Sequence, residues 1–151
     1  MDKGDGWDLV KAGKYFRYAK QPEMVFEMVN SVVFDDPELQ AALLTNRGGA
    51  FRDIKELEKA KECANEAIKL QPNSFYQYNL LGAICYQQGE PEAGDIHFQR
   101  AIELGSTPTY QELAIQKALY VSEDNTKKLV SQYLLKKDPE RYKWAKHYLK
   151  E

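Results

Sequence analysis

The residues predict an all-α fold, an array of stacked antiparallel helical hairpins, and three observations carry that prediction. Apolar residues fall with helical spacing nearly throughout, and no segment alternates convincingly with period two. Turn and cap residues punctuate the chain of 151 residues into about nine short helices. A glycine recurs at Gly13, Gly48 and Gly82, at intervals of 35 and 34 residues, each time inside the same pattern of neighbours. A repeat of that length is one supersecondary unit, which buries its apolar face only by stacking on copies of itself.

The elements follow in order from this punctuation. Residues 1–5 read as a flexible polar tail. The first hairpin, 6–39, carries Leu9, Ala12, Gly13 and Phe16 on its first helix and Val25, Val29 and Val32 on its second. Pro22 suits the first turn of that second helix, where its missing N–H is an orphan anyway. Asp36-Pro37-Glu38 supplies an N-cap, a proline at the first helical position and an acid in the first turn. The second hairpin, 41–74, has Leu44, Gly48 and Phe51, then Ala60, Ala64 and Ala67, and ends at Pro72. The third, 75–108, has Tyr78, Leu81, Gly82 and Cys85, then Gly94, Phe98 and Ala101, with Gly89 stopping one helix and Pro91 starting the next. A fourth, degenerate unit covers 109–138, with Leu113, Leu119, Leu129 and Tyr133 at helical spacing but no glycine. Residues 139–151 read as a terminal helix from Pro139 to about Lys150, which caps the array with one apolar face, Tyr142, Ala145 and Tyr148/Leu149.

The repeat phase explains the small residues. Glycine on the first helix of each hairpin costs about 1 kcal/mol of helix propensity relative to alanine. Close approach of the second helix offsets that cost, with Ala60 and Gly94 as the matching small positions. Cys63 and Cys85 fall at apolar-facing positions, and two cysteines in such a chain make no disulfide framework.

Composition narrows the function classes. The formal net charge is only −2, so no global field points to nucleic acid or a membrane surface. Charge is uneven: residues from Thr126 onward carry +5 and the remainder −7. No stretch approaches the ~20 apolar residues of a membrane span, and no apolar segment of a secretory leader follows the first residues. The expectation is a cytoplasmic chain, or a domain of a larger protein behind a start Met. No metal and no cofactor are expected, because His97 and His147 stand at no metal-ligand spacing from either cysteine. Gly48-Gly49 lies mid-helix without the Gly-Lys-Ser/Thr of a phosphate loop. The carboxylates are spread along solvated helix faces, so nothing in the residues carries catalysis and a non-enzyme is expected.

At Tyr78, Leu81, Gly82, Gly89, Phe98 and Ala101, and again at Leu44, Gly48, Phe51, Ala60, Ala67 and Pro72, the chain resembles the tetratricopeptide repeat family. It departs from the family pattern at Arg47, where leucine is usual, and at Ser106, where the final proline is missing. The resemblance covers roughly nine-tenths of the chain and implies a right-handed superhelix, an α-solenoid, that acts as scaffold, adaptor or co-chaperone-like factor. It further implies a concave groove lined by the first helix of each hairpin. Carried over, that groove holds Trp7, Lys14 and Arg17 from the first repeat and Arg52 from the second. The third contributes Tyr76, Asn79 and Tyr86, and the fourth Tyr110, Leu113, Lys117 and Tyr120. Tyrosine and arginine combine contact area with directed polar groups and concentrate at binding hot spots. Such a set suits a protein or peptide ligand with acidic and apolar side chains. The carboxylate clamp by which some family members hold chaperone C-termini is not matched by the residue types here.

The basic C-terminal region interleaves Lys136, Lys137, Arg141, Lys143, Lys146 and Lys150 with Tyr142, Trp144 and Tyr148. Basic residues with aromatics between them can hold single-stranded nucleic acid, so RNA binding is the alternative class; the acidic remainder of the chain argues against it. A third reading is an accessory domain of a larger enzyme. Trp144 falls off the Tyr142/Ala145/Tyr148 face and is expected to contact a partner domain or a second copy, giving self-association through the terminal helices.

Overall fold

A computed structural model describes residues 3–29 and 33–150. Eight α-helices run in order: α1 (Lys3–Tyr18), α2 (Glu23–Val29), α3 (Pro37–Asp53), α4 (Leu57–Leu70), α5 (Phe75–Gln87), α6 (Pro91–Glu103), α7 (Pro108–Val121) and α8 (Asp124–Lys137). A 3-10 helix, Lys143–Leu149, follows them. The fold is all-α, as the helical spacing predicts, and no strand occurs among the described residues. Helix α1 begins at Lys3, so residues 3–5, read as tail, are helical. Val32 lies outside the described residues.

The chain divides into two compact units, Met1–Leu80 and Leu81–Glu151. In the first, α1, α2 and α3 pack on one another and α3 pairs with α4. Val10, Val25, Leu39, Leu43 and Ala50 form its core, with Phe16, Phe26 and Phe34 half-buried against them. In the second, Tyr86, Phe98, Ile115, Leu119, Val130 and Leu134 are buried together with Tyr142 and Ala145 of the terminal segment.

The starts of the helices obey the sequence signals. Asp36 Oδ1 accepts from the Leu39 N–H at 3.0 Å, Thr107 Oγ1 accepts from the Tyr110 N–H at 3.3 Å, and prolines occupy the first turns of α3, α6 and α7. Each cap satisfies an N–H that the helix itself leaves without a partner. The stops show a regularity the sequence pattern did not announce. Lys20, Lys55 and Gly89, each seven residues past a repeat glycine, all take positive φ of 60°, 64° and 79°. Behind each runs the same pair of bonds, such as Glu56 N–H to Phe51 O (2.8 Å) and Lys55 N–H to Arg52 O (3.0 Å). This is the Schellman arrangement, which favours glycine because a Cβ is crowded in the left-handed region. Lys55→Gly is therefore expected to stabilise the protein by about 1 kcal/mol, read as a higher urea midpoint with unchanged slope. A lowered midpoint would sink this account of the cap.

The repeat glycines mark close approaches. A Cβ on Gly82 would stand 2.5 Å from the Phe98 ring, and one on Gly94 would stand 2.9 Å from the Gly82 carbonyl oxygen. Gly48 faces the Ala60 carbonyl and Cys63 Cβ, each 3.1 Å from such a carbon. Glycine on α5 thus meets glycine on α6, and glycine on α3 meets alanine on α4, as the repeat phase predicts. Gly13 differs: its neighbour is Asn46 of α3, whose Nδ2 donates to Val10 O at 2.8 Å. Both cysteines are buried free thiols. Burial pushes the Cys63 thiol from 9.0 up to about 11, which keeps it protonated and unreactive near neutral pH.

The terminal segment is not the α-helix expected from Pro139. Residues 139–142 form a turn in which Asp138 Oδ1 accepts from the Arg141 N–H at 3.1 Å, and the 3-10 helix starts only at Lys143. With three residues per turn, positions three apart eclipse. Tyr142, Ala145 and Tyr148 therefore form one inward row, and the first two are buried to 4% and 0% exposure.

Candidate functional site

The groove residues read from the repeat register divide into three groups. In the first, the structure turns side chains inward. Arg52, Asn79 and Tyr86 are buried, with 7%, 3% and 0% exposure, and Trp7 is half-buried against the core of the first unit. These four offer a partner little surface or none. Register does not decide this: Arg52, Tyr86 and the open Tyr120 hold the same place in their repeats, and local packing separates the buried from the exposed. Tyr86 shows this plainly. Its ring lies against Gly94, close enough that a Cβ there would stand 2.7 Å from it, and 5.6 Å from the Phe98 ring centroid.

The Tyr86 hydroxyl donates to Asp95 Oδ1 at 2.7 Å. Asp95 Oδ2 also accepts from the Tyr133 hydroxyl and from Lys137 Nζ at 2.8 Å. One carboxylate on α6 thereby ties α5 to two turns of α8. Burial, then the bond to Asp95, raises both phenols well above their ordinary range. This cluster is a tie within the second unit, and nothing in the spacing of Tyr86, Asp95 and Tyr133 announced it.

A second group sits in the first unit. Lys14 is exposed, with Nζ 5.5 Å from the centroid of the Tyr76 ring. Arg17 grips Asp53 with two hydrogen bonds, Nε to Oδ2 at 2.8 Å and Nη2 to Oδ1 at 3.3 Å. Its guanidinium crosses α3 over Gly49, where any Cβ would collide with it. Arg17 is thus engaged in joining α1 to α3.

The third group is open. Tyr110, Leu113 and Tyr120 of α7 are exposed by 53%, 61% and 78%, and Lys117 is exposed on the same helix. The spacing of three, four and three residues keeps them on one stripe. Leu113, Lys117 and Tyr120 form one wall of an open cleft of about 510 Å³; Trp144, His147 and Tyr148 of the terminal segment form the other. Gln116 completes the lining, which contains no carboxylate among the described residues.

Glu112 fixes this geometry from behind. Its Oε1 accepts from Trp144 Nε1 at 2.9 Å, and its Oε2 lies 3.6 Å from Arg141 Nε. Arg141 also donates to the Pro108 carbonyl at 3.4 Å. Trp144 is consequently half-buried within its own unit, edge-on to Tyr142 at 6.2 Å. Glu112 was missed in the sequence because its partners lie 32 and 29 residues away, outside any helical spacing.

With this geometry in hand, the similarity to known proteins has a place to act. Residues 41–74 match the family model "Tetratricopeptide repeat". Over those residues the chain is similar to a tetratricopeptide repeat. Two yeast (Saccharomyces cerevisiae) proteins are similar to it. "Heat shock protein STI1" is 25% identical over 89 residues, covering 59% of this chain and 15% of that protein. "Small glutamine-rich tetratricopeptide repeat-containing protein 2" is 31% identical over 64 residues, covering 42% and 18%. Titin of Drosophila melanogaster is 28% identical over 94 residues, 58% of this chain and a share of titin that rounds to 0%. The chain spans less than a fifth of the length of the two yeast relatives. Stacked helical hairpins present extended surfaces to other proteins. No helix among the described residues is long and apolar enough to cross a membrane.

Proposed function

We propose that this module is a non-catalytic adaptor that binds a peptide segment of a partner protein in the cleft between α7 and the terminal 3-10 helix. The observation that carries the reading is the exposed stripe Tyr110, Leu113, Lys117 and Tyr120, three of whose members line a cleft faced by the rings of Trp144, His147 and Tyr148. Large exposed apolar groups arranged as one concave surface mark an interaction site. Aromatic side chains give that surface contact area at low entropic cost. The apolar and aromatic lining suits a segment that carries large apolar side chains.

Tyr120→Ala is expected to weaken binding of such a peptide by about tenfold, or 1.4 kcal/mol. The melting temperature should hardly move, because the ring is 78% exposed. Isothermal titration alongside thermal denaturation separates the two. Equal affinity of the variant and the parent would place the binding surface elsewhere. Substitution of Arg52 or Tyr86 makes a poor probe, since both are buried and would report on folding.

A further inference from the structure

We infer that a second cavity, between α6, α7 and the turn after α8, is a binding site for a free α-amino acid with an apolar side chain. The ligand's ammonium group meets Glu112, its carboxylate meets Arg141, and its side chain lies on an apolar floor. This cavity is separate from the cleft described above, and no residue lines both. The inference goes beyond the peptide-binding reading and does not depend on it.

Size and floor come first. The cavity has a volume of about 230 Å³, below the ~300–1,000 Å³ of sites for drug-sized ligands, so it has room for one small molecule. Phe98 and Ile115, with 4% and 3% exposure, and the half-buried Ile102 supply the floor. Such a surface favours a branched aliphatic or aromatic group, which leaves water on entering.

Among the described residues four charged side chains line the same cavity, and they form two ion pairs of different character. The Asp95–Lys137 pair is closed. Its ions stand 2.8 Å apart, and the carboxylate also accepts from the Tyr86 and Tyr133 hydroxyls. The Glu112–Arg141 pair is open. Arg141 Nε stands 3.6 Å from Glu112 Oε2, beyond hydrogen-bond length, and Nη2 donates to the Pro108 carbonyl at a long 3.4 Å. A guanidinium and a carboxylate that satisfy each other adopt a shorter, two-pronged geometry. Arg141 and Glu112 therefore keep donor and acceptor capacity for a ligand.

Charge balance selects the ligand. The two cations and two carboxylates cancel, so a ligand of single charge would leave water without full compensation, which is costly. A zwitterion avoids that cost. Between Glu112 and Arg141 an α-amino acid replaces one long contact with two short charge-assisted ones, ammonium to Glu112 Oε2 and carboxylate to the guanidinium. The end residue of a peptide offers only one of these two groups. Glu112 Oε1 meanwhile keeps its bond to the Trp144 indole N–H at 2.9 Å, so Trp144 reports on binding without touching the ligand.

The test follows side-chain N–H resonances of the isotope-labelled full chain: Arg141 Nε and Trp144 Nε1, with Trp7 Nε1 as the control outside the cavity. The probe is L-leucine. N-acetyl-L-leucine lacks the ammonium group, L-leucinamide lacks the carboxylate, and glycine lacks the side chain. The expected result is a saturable shift of Arg141 and Trp144 with Trp7 unmoved. Each of the three analogues should bind at least about tenfold more weakly. Glu112→Gln, which keeps an acceptor for the indole, should bind L-leucine and N-acetyl-L-leucine within about threefold of each other. Arg141→Gln should do the same for L-leucine and L-leucinamide. These ratios compare ligands on one protein, so a general loss of stability does not imitate them.

If L-leucine moves neither Arg141 nor Trp144 at millimolar concentration, the cavity is not an amino-acid site. Equal binding of N-acetyl-L-leucine or of L-leucinamide to the parent overturns the zwitterion assignment, and equal binding of glycine overturns the role of the floor. Parent-like ratios in Glu112→Gln and Arg141→Gln place the charged contacts elsewhere. None of these results touches the peptide-binding reading of the cleft, which Tyr120→Ala tests by itself.

Discussion

Asp95→Ala is expected to destabilise the protein by about 2–4 kcal/mol, more than any other polar substitution in the second unit. Its carboxylate accepts from two phenols and an ammonium group. Tyr86 is fully buried, so its hydroxyl gains no water when the acceptor is removed and bears the full cost of desolvation. Tyr133 and Lys137 are closer to solvent and recover part of their loss. The mechanism is separable from simple loss of packing. Tyr86→Phe alone should cost about 1 kcal/mol, but in the Asp95→Ala background it should cost nothing or restore stability, because it removes the orphaned donor. Urea unfolding of the four proteins of that cycle measures the coupling, and additive single effects would sink the account.

The same cluster predicts a pH dependence. The Tyr86 and Tyr133 phenols are raised by burial and by Asp95, and Tyr142 is raised by burial. A folded-state pKa above the unfolded value means that the folded protein holds more protons once the unfolded phenols begin to ionise. The stabilisation is complete below about pH 10, the ordinary phenol value, and is lost as pH rises beyond it. Stability measured from pH 9 to 12 should fall more gently in Tyr86→Phe than in the parent.

The Asp95 cluster shows where the sequence was readable and where it was not. The hairpins, the glycine crossings and the proline starts are local or strictly periodic, and each imposes a residue type on a known position. Gly82 meeting Gly94 follows from phase alone. Asp95 does not, because a carboxylate on a helix face looks the same whether it faces water or two phenols from other helices. The same holds for Glu112 behind Trp144. The register alone did not sort the groove set: Tyr86 and Tyr120 hold the same place in their repeats, as do Asn79 and Leu113, yet the first of each pair is buried and the second open, so packing decides which side chains face solvent. Lys20 and Lys55 hid the Schellman stops, since only Gly89 of the three carries the residue that announces such a turn. The terminal helix was misread because a row at spacing three fits one turn of either helix type, and only a full row of three, Tyr142, Ala145 and Tyr148, distinguishes them.

Gly94→Ala and Gly49→Ala are the same chemical change on two helices, and they are expected to differ by about 2–3 kcal/mol in outcome. Each gains roughly 1 kcal/mol of helix propensity. At Gly94 the new methyl would stand 2.9 Å from the Gly82 carbonyl oxygen and 2.7 Å from the Tyr86 ring. The first is backbone and the second is a ring fixed by Asp95, so neither yields without displacing α5 from α6. The net result is a loss of about 2 kcal/mol. At Gly49 the methyl meets the far end of Arg17, a flexible side chain that can swing into solvent. What is lost there is the part-exposed pair with Asp53, whose side chains are 23% and 13% exposed, and such pairs contribute on the order of 1 kcal/mol or less. The propensity gain offsets it, leaving Gly49→Ala near neutral. Parallel denaturant titrations decide the matter. Stabilisation by Gly94→Ala would mean that α5 and α6 do not approach as closely as their two glycines allow, and the repeat glycine would then have no packing role in this hairpin.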